Sequence, residues 1–389
     1  MSSLEKEITR GFQLLSAYYT GKVGKSGYQE IYATITENEW KSDSFAEKAD
    51  EMKALLFDSD YFSILKSWLL RIHPKTEVET YKYHFQYMLS EFSTIAFYVG
   101  LIKHYEALGG PPNTSSTKGA IFAKNAYSVI DELLFQVLDG KWGGAGDSKA
   151  EQIIEKLAKT GQNTYNTTVS REDWEKIWLG MLGGAVVEQR DNKGNFIRLL
   201  DSKGKATGKY QMTGDITDVK SELNEGIHPN TEKKVAEWKL KSNGNPANQT
   251  FSKATQIIML HYYATTMCEA PREENKIYKN YQWDHIIPQA AFKKKDSKYQ
   301  KFCNNIANCQ ALPSHANQNK SDEKMENALL LSDSNINKST QKWIKKYSAI
   351  DSSDYPKYSA PGNAEQLVRD RGKRMMNEFL DARDVILGK

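Results

Sequence analysis

Cysteine is scarce: the 389 residues hold three, Cys268, Cys303 and Cys309. An odd set without metal-ligand spacing gives neither a disulfide framework nor a structural zinc knuckle, so reduced thiols in a cytoplasmic protein are expected. Long apolar runs are also missing. The most apolar one, Phe92 to Ile102, is 11 residues bounded by Glu91 and Lys103. A bilayer span needs about 20, so no membrane partner is expected. The opening Met1-Ser2-Ser3-Leu4-Glu5-Lys6 lacks the pattern of a signal peptide. An excess of charge is absent too, the net value being +4. This excludes a protein that coats nucleic acid through bulk charge, and any basic surface must be local. No phosphate-cradling loop is present. Gly143-Gly144-Ala145-Gly146 is not followed by Gly-Lys-Ser/Thr, Lys149 sits too far on, and Thr207-Gly208-Lys209 fails the same test. There is no internal repeat and no low-complexity tract.

What is there should fold. Hydrophobic residues make up 39% and aromatics 11%, and the length suits two or three domains. Apolar spacings of three and four predict helices over 3–20, 43–57, 59–72 and about 77–105. The last carries the stripe Phe85, Met88, Leu89, Phe92, Ile95, Ala96, Val99 and Ile102, with His84 and His104 read as edge residues. Further helices are expected over 118–138, 148–158 and 171–183. Between Val186 and Tyr210, strand-like pieces alternate with Asp-Asn-Lys-Gly and Asp-Ser-Lys-Gly turn signals, which predicts a small β-ribbon. The polar stretch 211–250 reads as a linker. Phe251 to Cys268 is apolar nearly all round and so is expected to be buried, with His261 a core residue. Helices over 335–347 and 365–387 complete the chain. The second carries Leu367, Met375, Phe379 and Val385 on one side. Its Arg369, Arg371, Lys373 and Arg374 read as a solvated face or, alternatively, a phosphate contact.

The chemistry concentrates in Trp283-Asp284-His285-Ile286-Ile287-Pro288-Gln289, together with Asn308, Asn317 and Lys320 further along the chain. Phosphodiester hydrolysis needs a base for water, neutralisation of phosphate charge and stabilisation of the departing oxygen. A neutral imidazole at His285 can be the base. A carboxylate at Asp284 and an amide oxygen at Asn317 suit a hard cation such as Mg²⁺. Neighbours on a strand face opposite ways, so the backbone is expected to turn at a frayed end near Asp284-His285. Residues 308–312 can form a second strand pairing with the first, and Asn308 ties the intervening loop. Ser314 is a fair N-cap for a helix that sets Asn317 and Lys320 on one face. His315 reads as an exposed helix start, or else a phosphate contact or competing ligand. From Lys276 to Lys320 there are eight lysines, two aspartates and no arginine or glutamate. That local excess of six positive charges favours phosphate binding by Lys293, Lys294, Lys295, Lys298 and Lys301.

The pattern Asp-His-Ile-Ile-Pro-Gln, then Asn-x-x-Asn-x-Gln-x-Leu, then Asn-x-x-Lys-Ser-Asp resembles the HNH (ββα-metal) endonuclease family. It is similar above all to the variant with Asn as the third motif residue, as in the HNH domain of the RNA-guided CRISPR nuclease. The resemblance covers roughly residues 276–332. It implies Asp284 and Asn317 as ligands of Mg²⁺ or Mn²⁺, His285 as general base, Asn308 as the structural middle residue and Lys320 as a phosphate contact. The insert between His285 and Asn308 is long and lysine-rich, a departure from the pattern. A helical body leading into such a module also resembles the C-terminal half of GmrSD-type restriction nucleases. The Asp-Gly-Gln-Gln-Arg motif of that family's other half is missing, so nucleotide control would fall to a separate regulatory subunit.

The expectation is therefore a mainly α protein with a small β-ribbon. Its parts are a helical domain (1–185), a mixed region (186–250), an HNH module with its leading helix (251–332) and C-terminal helices (333–389). The function expected is metal-dependent cleavage of nucleic acid, DNA first, in restriction or phage defence. Two alternatives stay open: an inactive HNH subunit that binds nucleic acid or a partner, and a nuclease toxin or homing enzyme.

Overall fold

A computed structural model of the chain describes residues 13–24, 27, 29, 91–110, 116–138, 142, 146–182, 187–188, 198–200, 206–210, 212–213, 251, 253–266, 281–293, 302–313, 317, 345–346, 348–358 and 360–389. The expected helices over 43–57 and 59–72, His84 and the 214–250 part of the expected linker lie outside these residues. So do Cys268 and most of 335–347. The described residues are mainly helical, with small antiparallel strand pairs. Among them no helix is long and apolar enough to cross a membrane. Two compact units form: residues 1–169 with 386–389, and residues 170–385. The change from helical to strand-like sequence after residue 183 places the expected first boundary at 185. The helix that begins at Arg171 belongs instead to the second unit.

In the first unit, residues 13–20 are helical. Helices α1 (Glu91–Ala107), α2 (Thr117–Leu138) and α3 (Gly146–Thr160) come next. Ser116 starts α2 by accepting a hydrogen bond from Gly119 N at 3.0 Å, the usual way to satisfy a free first-turn N–H. Of the expected stripe, Ile95, Ala96, Val99 and Ile102 are buried and Phe92 is half-buried, while Phe85, Met88 and Leu89 lie outside the described residues. Gly100 lets α1 approach α3 closely, since a Cβ there would lie 2.5 Å from Leu157 Cδ1. His104 is not an edge residue. It is fully buried, its ring stacked on Phe122, and its Nε2 accepts from Asn125 Nδ2 at 3.0 Å. Asn125 also donates to Asn163 O and accepts from Tyr165 N, tying the loop after α3 to the middle of α2. Burial pulls the His104 pKa down to about 4, because an imidazolium there would lose its water. A buried polar partner on α2, invisible to the periodicity of α1 alone, is what draws the ring inward.

The second unit opens with α4 (Arg171–Leu182). Ser170 and Asp173 cap it reciprocally: Asp173 N donates to Ser170 Oγ, and Ser170 N to Asp173 Oδ2. Strand pieces β1 (Val187–Glu188), β2 (Arg198–Leu200), β3 (Ala206–Tyr210) and β4 (Met212–Thr213) come after it. The pair β2–β3 is antiparallel across the turn signal at 201–204, as expected, whereas β1 pairs with β4, at the start of the expected linker, and not with its neighbour across the signal at 191–194. Helix α5 (Lys253–Thr266) is buried on most sides. His261 lies in a core of aromatic rings, with centroids 5.0 Å from both Trp174 and Phe379.

The last helix, α7, is built of Ala364–Leu367, a π turn at Val368–Gly372, and Lys373–Leu387. Leu367, Met375 and Phe379 are buried as expected, but Val385 is 78% exposed. The inward positions run 367, 371, 375, 379 and 383. A spacing of four outruns a 3.6-residue turn by roughly 40° each time. The wider π turn takes back part of that drift, so Arg371, expected in a solvated or phosphate-binding cluster, points in, as does Arg383. Gly372 permits the fit, as a Cβ there would lie 2.4 Å from Leu182 Cδ2 on α4.

Candidate functional site

The site is an antiparallel ribbon within the second unit. Strand β5 (Tyr281–His285) pairs with β6 (Cys309–Pro313), Asp284 opposite Gln310 and His285 opposite Cys309. Helix α5 braces the ribbon from below: Ala311 N donates to the Tyr263 hydroxyl at 3.2 Å. Burial raises the pKa of that hydroxyl to about 12. Between the strands, a short helix α6 (Gln289–Lys293) leads away, and a 3₁₀ turn at Ile306–Asn308 leads back. Asn305 caps that turn, its Oδ1 accepting from Ala307 N at 2.9 Å.

Asn308 holds the loop as its place in the pattern implied. Its Oδ1 accepts from Ile287 N at 2.8 Å. Its Nδ2 donates to Cys303 O at 2.8 Å and Ile287 O at 3.2 Å. The Asn308 carbonyl accepts from Ile286 N at 3.0 Å. Residues just after Asp284-His285 are thus pinned by two side-chain bonds and one backbone bond from a single, fully buried asparagine, whose third side-chain bond ties in Cys303.

Asp284 is buried, 6% exposed, and its Oδ2 accepts from Gln310 Nε2 at 2.7 Å. Asn317 Nδ2 donates to Gln282 Oε1 at 2.8 Å. Gln282 and Asp284 are two apart on one strand and so share a face of the ribbon. That brings Asn317 to the Asp284 side, with its amide oxygen as the atom carrying lone pairs. His285 is directed to the other face, because its pairing with Cys309 continues the ladder past Asp284. The frayed strand end expected from the sequence is therefore absent at these two residues, and the turn begins at Ile286. The His285 ring stacks on Phe251, centroids 4.1 Å apart, and Nε2 lies 2.8 Å from Asn304 Oδ1. A carbonyl oxygen can only accept, so Nε2 carries the proton and the ring's lone pair is on Nδ1.

Lys294, Lys295, Lys298, Lys301, Lys320 and His315 lie outside the described residues. So does the side chain of Lys293, whose backbone ends α6. Among the described residues, no three or more His, Cys, Asp and Glu side chains gather as a metal group. The donors at hand are oxygens, one carboxylate and neighbouring amides. That set fits a hard divalent cation that keeps most of its waters, rather than zinc.

Three residues escaped the sequence reading. Gln310 sat in the motif without a role. Nothing in the spacing of Asn304 marks it as the partner of His285. Arg371 read as one of a solvated basic cluster. Its spacing of four from Leu367 and Met375 was the signal that places it inside. The rest of that cluster is largely neutralised by acids: Arg369 by Glu365, and Arg374 by Glu378 and Asp351. No protein-family model, curated protein or solved structure matches the chain.

Proposed function

We propose that the chain is a metal-dependent endonuclease of the HNH type, hydrolysing phosphodiester bonds in nucleic acid, DNA first. The observation that carries this is the ribbon itself. Two antiparallel strands set Asp284 against Gln310, Asn308 pins the residues behind Asp284-His285, and Asn317 comes to the Asp284 face. A surface Asp-His pair with a random asparagine loop would not need a fully buried asparagine bonded on three sides.

In this mechanism His285 Nδ1 takes a proton from water. The hydroxide attacks phosphorus, and the bond to the 3′ oxygen breaks. Asn304 fixes the tautomer that leaves Nδ1 basic, and Phe251 holds the ring plane. Asp284 and Asn317 would hold Mg²⁺ or Mn²⁺, which neutralises phosphate charge and stabilises the departing oxygen. Gln310 keeps the Asp284 carboxylate in one orientation. Lys320 would contact phosphate, and Lys293, Lys294, Lys295, Lys298 and Lys301 would track the backbone. Restriction or phage defence, with a regulatory partner subunit, is the setting we propose.

One observation favours a second reading, an inactive HNH subunit that binds nucleic acid or a partner. The ladder runs through His285, so the carboxylate and the imidazole leave the strand on opposite faces. The two readings separate in one assay. Purified protein is incubated with plasmid, single-stranded DNA and RNA, with and without Mg²⁺. The nuclease reading expects Mg²⁺-dependent cutting that is lost in His285→Ala while binding persists. Binding without cutting by the wild type on every substrate selects the inactive subunit.

A further inference from the structure

Arg371 is 1% exposed, yet none of its described bonds goes to a carboxylate. Its guanidinium donates to three backbone carbonyls instead. Nε bonds Ser348 O at 2.6 Å, and Nη1 bonds Ala307 O at 2.6 Å and Cys309 O at 3.0 Å. Two of those carbonyls flank Asn308. Removing a charge from water is costly unless its donors are met, so a buried cation on carbonyls alone is an expensive way merely to fill space. The fork geometry gives something a methionine could not. It fixes the orientation of the 307–308 and 309–310 peptide groups, which bracket the Asn308 carbonyl.

The chain of contacts continues from there. Asn308 O and Oδ1 hold the Ile286 and Ile287 amides, and those residues come directly after Asp284-His285. At the other end, the π turn and Gly372 set the depth of Arg371 against Leu182. We infer that Arg371 is a positioning residue: a clamp on the 3₁₀ turn that, through Asn308, fixes where the Asp284-His285 end of the ribbon sits. Its meaning for catalysis rests on the nuclease reading; its effect on the turn does not.

The test uses the full chain and three variants, Arg371→Met, Gly372→Ala and the double variant Leu182→Ala/Gly372→Ala. Hydrogen exchange is read at the Ile286 and Ile287 amides. The Ala311 amide, held by Tyr263 on the same ribbon, is the control. Arg371→Met and Gly372→Ala should speed exchange at Ile286 and Ile287 roughly 10-fold, with Ala311 unchanged. The double variant should restore protection by making room for the added methyl. Under the nuclease reading, kcat should fall roughly 10–100-fold in Arg371→Met with KM unchanged. If Arg371→Met does not fold, the Gly372→Ala pair decides the question. Equal acceleration at Ala311, or unchanged exchange at Ile286 and Ile287, overturns the clamp. Faster exchange at those two amides in a protein that cuts no nucleic acid upholds the clamp and removes the nuclease. A wild-type protein that cuts, beside an Arg371→Met variant with unchanged kcat, overturns the positioning role.

Discussion

Replacing Asn308 offers the sharpest test of how the ribbon is held. Asn308→Ala leaves the Ile287 N–H and the carbonyls of Ile287 and Cys303 without their side-chain partner, in a site that is 1% exposed. Each unmet buried polar group costs about 1–3 kcal/mol. The losses do not add fully, because the loop relaxes, so a total of about 3–5 kcal/mol is expected. A domain's whole stability is about 5–15 kcal/mol, which makes this a severe loss. Asn308→Asp sharpens the test. The carboxylate keeps the acceptor for Ile287 N but turns an oxygen toward the two carbonyls that Nδ2 now serves. Although it matches asparagine in shape, it should destabilise at least as much as alanine. Urea unfolding followed by tryptophan emission reads this, since Trp174 and Trp178 are buried in the same unit. An Asn308→Asp protein within about 1 kcal/mol of wild type would refute the bonding described for this residue.

Three further outcomes are expected. His104 has a folded-state pKa lowered to about 4 from 6.5. Its stabilising effect is therefore complete above pH 6.5 and is lost as pH falls toward 4, by roughly 3 kcal/mol. Unfolding of the first unit measured from pH 7.5 to 4.5 should show this slope, and His104→Leu should flatten it; an unchanged slope would point to another group. Gly100→Ala should destabilise that unit by about 1–3 kcal/mol, because the new methyl would meet Leu157 Cδ1; thermal unfolding checks it, and restoration by Leu157→Ala would confirm the contact. Asn304→Asp places a carboxylate beside His285 Nε2 and should raise the imidazole pKa. An NMR titration of His285 reads the shift, and no movement would dismiss the pairing.

Among the described residues, the long helices were legible because each rests on its own periodicity. Ile95, Ala96, Val99 and Ile102 announce their burial in the sequence and are buried. The ribbon was legible for a different reason: the Asp-His-Ile-Ile-Pro pattern marks a strand ending near Asp284 and residues 308–312 a second one, and the structure pairs Tyr281–His285 with Cys309–Pro313. What stayed hidden depends on a second element. His104 is inside because Asn125, on another helix, gives its ring a donor. Arg371 is inside because carbonyls more than 60 positions earlier in the chain await its guanidinium. A single-stretch reading sees a charged side chain and assigns it to water. Strand alternation at Asp284 and His285 was read correctly as a rule. The expected exception to it was not met, since backbone pairing with β6 extends one residue further.

The clamp has a consequence for the order in which this chain becomes itself. A ribosome makes residues 281–313 well before it adds Arg371, so the growing polypeptide carries its hairpin for a time with the turn unfastened. A chain truncated before position 371 should protect the Ile286 and Ile287 amides less than the chain that carries α7. Whatever the hairpin does would be withheld until α7 has been made.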